Sequence, residues 1–273
     1  MTKLTTILSA LALATAANAG TSAPAPSGKA CNSCNACATP AADTLGFGIS
    51  ASYNTHYIFR GVEFGENWVQ GRVDYTHDLT DTTKLVFDAS YGFLAGDDSA
   101  LNSLVGTDLS YQRLELGAGL VTDLGPVELG VGYRFYHHDG DLGNILEDTH
   151  EVGVTLGKKI GALHLGMGAY YDITNEGWYF EAKAATEIKV CEGFKLVPAV
   201  GIGYAVDYDW QLVTDAAQLN GFTAVNVSLA APITVAKNVT ITPYIAANLP
   251  IDALDDAGED TQVYGGVSVT IKF

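Results

Sequence analysis

The stretch Thr44–Val62 alternates between two kinds of position. Leu45, Phe47, Ile49, Ala51, Tyr53, Thr55, Tyr57 and Phe59 form one set; Gly46, Gly48, Ser50, Ser52, Asn54, His56, Ile58 and Arg60 form the other. Alternate side chains of a strand point to opposite faces. The segment therefore predicts a long strand with one apolar face ending in aromatics and one small, polar face ending in a cation, turning over residues 61–67. The alternation recurs at 68–79, 84–95, 109–122, 127–137, 150–158, 163–172, 178–190, 195–206, 221–231, 239–249 and 261–273. About twelve strands, an even number, predict an all-β fold: an antiparallel, up-and-down transmembrane β-barrel spanning residues 44–273. Pro198 and Pro243 fall inside strands and count against clean pairing there. Ten strands and a soluble β-sandwich are the alternatives.

The inward set carries the candidate chemistry. Arg60, Arg72, Asp74, Lys84, Asp88, Arg113, Glu115, Glu128, Arg134, Glu151, Glu181, Lys183 and Glu187 are the candidate pore-lining residues. Charges of both signs on one strand face are costly against lipid and stable against water or each other. Two readings compete: an ion-pair network that fills the barrel, or a hydrated lumen. Inward glycines such as Gly48, Gly130, Gly132, Gly166, Gly201 and Gly203 leave room and favour the lumen. Eight strands fill with side chains and sixteen leave a channel, so twelve alone does not decide.

The connections divide into short turns and longer acidic loops. The loops hold Glu63, Glu66, Asp139, Asp141, Glu147, Asp148, Asp207, Asp252 and Glu259 among others, with no Lys or Arg. That asymmetry puts the loops outside and the turns on the periplasmic side. Tyr57, Phe59, Phe93, Phe135, Tyr171, Trp178, Tyr204 and Phe222 fall near the loop ends, where an interfacial girdle is expected. The acid is first a solvated surface; it also predicts a cation bias at the mouth and divalent bridging to lipopolysaccharide. His137, His138, Asp139, Asp141 and His150 flank one loop, yet their spacing is diagnostic of no metal, and neither metal nor cofactor is expected.

The net charge of −17 argues against a nucleic-acid partner. Residues 1–19 combine Lys3, an apolar core and Ala17-Asn18-Ala19, and predict a secretory signal peptide. Residues 20–43, rich in Ala, Pro, Ser and Gly, predict a disordered leader. It contains Cys31, Cys34 and Cys37; Cys191 is the other cysteine. In an oxidising compartment disulfides are the expectation over a metal site, with the pairing open. No catalytic triad, Gly-x-Ser-x-Gly or HExxH is present, so the chain reads as a non-enzyme.

The segment containing Tyr57-Ile58-Phe59-Arg60-Gly61 resembles the TorF-type porin family, and the closing VYGGVSVTIKF resembles the Phe-terminated signal read by the barrel-assembly machinery. The resemblance implies an outer-membrane location and a porin-like channel for passive diffusion of small solutes or ions. A non-conducting scaffold barrel of the MltA-interacting type, and less so a barrel enzyme, are the rival classes.

Overall fold

The computed structural model describes residues 46–96, 110–143, 146–211 and 219–273. Its strands are β1 (Phe47–Phe59), β2 (Val62–Asp78), β3 (Thr83–Leu94), β4 (Gln112–Asp123), β5 (Glu128–Asp139), β6 (Thr149–Ile160), β7 (Leu163–Asp172), β8 (Gly177–Thr186), β9 (Ile188–Cys191), β10 (Phe194–Tyr208), β11 (Leu219–Ala230), β12 (Ile233–Ala236), β13 (Val239–Pro250) and β14 (Gln262–Lys272). Two short helices lie in loops, α1 (Gly140–Gly143) and α2 (Ala253–Asp256). Neighbouring strands pair antiparallel, and β14 pairs with β1 from Gly48–Lys272 to Asn54–Gly266, closing the sheet.

Two pairs of these strands are single strands interrupted once, which makes a twelve-stranded barrel. Both interruptions face a proline. The ladder of β10 lapses opposite Pro198, between Leu196–Ile188 and Ala199–Ala185, where β8 gives way to β9. Ala231 donates to the Pro243 carbonyl at 2.9 Å, and Pro232 follows at the break between β11 and β12. A proline has no N–H to give a neighbouring strand, so each break falls where a hydrogen bond is already missing. The prolines are absorbed and the ten-strand count is excluded.

Outward positions are apolar. Ile49, Val73, Phe87, Leu116, Val131, Val154, Met167, Val200, Val227, Ile245 and Val267 are all exposed. A continuous exposed band of this kind is a membrane face, and the chain is an outer-membrane barrel. No helix among the described residues is long and apolar enough to cross a membrane; the strands do so. Phe93, Trp178, Tyr204 and Phe222 face outward near the loop end; Tyr171 packs on Trp178 and Phe135 on His150. Tyr57 and Phe59 do not join this girdle. Both are buried inside the barrel. The signal-peptide and leader segments, with Cys31, Cys34 and Cys37, lie outside the described residues. Cys191 is exposed at the end of β9.

Candidate functional site: the barrel interior and its hairpin

The first hairpin does not stay in the wall. β1 and β2 are joined by Arg60-Gly61 between the paired Phe59 and Val62, with φ of +53° and +95°. Positive φ at both central residues is the turn that matches strand twist. Residues 62–67, including Glu63 and Glu66, are therefore strand, not the loop that the acidic pattern suggested. Gly61 suits the turn by its φ, and a Cβ there would also press on the Leu254 side chain at 2.7 Å and on Ala224 at 3.0 Å. The register of β1 against β2 shifts between Tyr57 and Ile58. Asn67, at φ +58°, sits at the bend. Above this point the hairpin folds into the barrel.

The inserted tip builds the core. Tyr57, Phe59, Val62 and Phe64 join Trp68, Tyr111, Tyr136, Tyr170, Tyr179, Tyr208, Trp210 and Leu254 in one buried cluster. Tyr57 stacks on Trp68 at 4.1 Å between ring centres. Phe59 meets Phe64 and Tyr136 edge-on. Arg60 reaches across to the far wall. Its guanidinium lies 2.6 Å from Glu151 on β6, donates to the Tyr208 hydroxyl, and sits over the rings of Tyr179, Tyr208 and Tyr170 at 4.5–5.1 Å. The αL conformation costs an L-residue about 1–2 kcal/mol; the ion pair and aromatic enclosure hold Arg60 in it. On the other side, the Asn248 amide donates to the Gly61 carbonyl at 2.8 Å, and fully buried Leu254 of α2 packs on the tip.

Arg60 stands in the hairpin turn, and the other nominated charged residues fall into two environments. Arg113 donates to the Tyr57 hydroxyl at 2.6 Å, pairs with Glu115 at 3.2 Å, and stacks over Phe59 and Tyr136. Arg134 joins Glu115 to Asp88 at 3.2 and 3.0 Å, and Arg72 joins Asp88 at 3.4 Å. Tyr170 donates to Glu181 at 2.9 Å. Nearer the turns the charges are less enclosed. Lys183 pairs with Glu181, Lys195 with Glu187 and Lys84 with Asp78, with lysine side chains 13–21% exposed against 1–4% for Arg60, Arg113, Glu115 and Glu151. Asp74 and Glu128 occupy interior positions of β2 and β5 in that half.

The histidine–acid group around the β5–β6 loop does not converge. His137 bonds Asp148 at 2.8 Å, His138 bonds the Tyr111 hydroxyl at 2.8 Å, and His150 bonds Tyr133 at 2.6 Å. A grouping not anticipated from sequence does converge. His56 Nδ1 is 2.7 Å from a Glu63 oxygen, and ligand atoms of His56, Glu63 and Glu66 lie within 4.8 Å of one another. Glu259, in the segment between β13 and β14, is pushed up to about 7 by burial, with the charges of Glu63 and Asp260 adding to the rise.

No family model and no curated protein matches the sequence. Among solved structures, the chain is similar to the COG4313 outer membrane channel from Pseudomonas putida F1, at a TM-score of 0.59 and 14% identity over 86% of this chain and 99% of that one. It is also similar to LpxR from Salmonella typhimurium, at 0.51 and 11% identity over 83% of this chain and 100% of that one. These likenesses are of fold.

Proposed function

We propose that the chain is a porin-like outer-membrane channel for small solutes or ions, and that the β1–β2 hairpin is its closure. One observation carries the reading. The turn-end half of the interior is lined by Asp74, Lys84, Glu128, Lys183 and Glu187 around backbone positions taken by Gly48, Gly130, Gly132 and Gly166. Lining of that kind suits water and charged solutes rather than a packed core. Above it the obstruction is a hairpin of the wall itself, held by the buried aromatic cluster and by polar contacts at its tip. The channel named among the structures of like fold, and the resemblance to TorF-type porins over the hairpin residues themselves, support the same reading. The acidic loop residues, Asp139, Asp207 and Asp252 among them, give the mouth a cation bias.

The test is single-channel conductance of the refolded barrel in a planar bilayer under a salt gradient, comparing the native chain with Arg60→Ala. Brief or small openings in the native chain, long openings in the variant and a cation-side reversal potential are expected. Silence from both folded proteins overturns the channel and favours the scaffold reading, which the filled loop end supports.

A further inference from the structure

The face of the hairpin turned away from the aromatic cluster carries His56, Glu63 and Glu66. The register shift decides this. His56 stands directly opposite Glu66, and Tyr57 opposite Gly65. Continued regularly, Ile58 would face Phe64, and Glu63 would share the buried side of Phe59. Instead Ile58 pairs with Glu63 and Phe59 with Val62, so Phe64 is the extra residue of the bulge. One inserted residue sends Phe64 to the aromatic side and brings Glu63 round to His56 and Glu66.

The result is a mixed nitrogen and oxygen donor set. Atoms bound to one divalent ion at about 2.0–2.2 Å lie no more than about 4.4 Å apart, which the 4.8 Å spread reaches with a small side-chain adjustment. His56 and Glu63 are half-buried and Glu66 is exposed, leaving positions for water. Glu259 is brought alongside, its carboxylate accepting the Glu63 backbone N–H. Among the described residues, no Lys or Arg forms an ion pair with Glu63, Glu66 or Glu259. Imidazole with carboxylates suits zinc or manganese better than calcium or magnesium, which prefer oxygen alone.

We infer that His56, Glu63 and Glu66 form a divalent transition-metal site that staples the two strands of the inserted hairpin where they leave the wall. Glu259 lies close enough to extend the staple to the segment between β13 and β14, whose Leu254 already covers the hairpin tip. Metal binding itself does not depend on the channel reading. Its proposed consequence, a more firmly closed hairpin, deepens that reading.

The experiment uses refolded full-length barrel, stripped with chelator, with the four cysteines replaced by serine so that the leader does not compete for metal. Zinc is titrated by calorimetry, with calcium as the oxygen-preferring control, and backbone hydrogen exchange is followed over residues 56–66. One zinc per barrel, slower exchange of the hairpin, at least about 10-fold weaker binding in His56→Ala and in the near-isosteric Glu66→Gln, and no calcium response are expected. No zinc binding, or binding undiminished in both folded variants, overturns the site. Binding without slower exchange overturns the staple. Neither readout requires conduction, so a silent barrel that binds zinc separates a failed channel reading from a failed metal site.

Discussion

The two halves of the barrel interior solve one problem in opposite ways. Both carry charge on the inward face. Near the loops, Arg60, Arg113, Glu115 and Glu151 are almost wholly enclosed by tyrosine, phenylalanine and tryptophan rings. Near the turns, Lys183, Lys195 and Lys84 remain partly accessible beside small residues. The difference comes from the hairpin. Where it enters, a charge is desolvated and must be paired closely; where it does not, the charged side chains stay partly accessible beside small residues. An interior charge in this fold is thus a fastening in one half and a lining in the other.

Breaking that contrast is the direct way to test it. Removing one partner of a buried pair leaves the other charge stranded, at a cost of about 3–5 kcal/mol. Glu151→Gln should therefore destabilise the loop-end half by that order, seen as a lowered urea midpoint, and should release Arg60 and lengthen channel openings. Trp68→Ala removes the ring stacked on Tyr57 and should cost about 3–5 kcal/mol in the same assay. Gly92→Ala is a sharper probe: its Cβ would lie 2.2 Å from the Trp68 ring, so the indole must move, at about 1–3 kcal/mol. Lys84→Gln, near the turns and paired with exposed Asp78, should change stability by less than about 1 kcal/mol. It should shift the reversal potential further to the cation side. If Lys84→Gln destabilised the barrel as much as Glu151→Gln, the division of the interior would be wrong.

Much of this architecture was legible in the chain. Period-two patterning set the strands and the inward face, because a barrel wall has lipid on one side and the interior on the other. Arg113, Glu115, Arg134 and Glu151 face inward as the pattern requires. The pattern failed at Tyr57 and Phe59, and for a physical reason. An aromatic at the end of a strand suits an interface girdle and a packed interior equally well. The alternation tells which side chains share a face, not whether that face still belongs to the wall. A signal was present in Arg60-Gly61 between two apolar residues, which marks a tight hairpin and continues β2 back to Val62. The convergence of His56 with Glu63 and Glu66 had no such signal, because it depends on one bulged residue. The fill of the interior was equally hidden, since ion pairs between the hairpin turn and β6 or between β3 and β5 follow from closure.

Every residue the hairpin spends inside is missing from the wall. The seam between β1 and β14 ends at Asn54–Gly266, whereas β14 continues along β13 to Gln262. Above Gly266 the side of β14 that faced β1 has no ladder; the Gly265 N–H turns to the Thr55 hydroxyl at 3.0 Å. Backbone groups without ladder partners do not tolerate hydrocarbon. The seam is therefore expected to act as a depth gauge, with the oily layer of the membrane ending at or below the Asn54–Gly266 pair on this side and the open edge above it at headgroup depth.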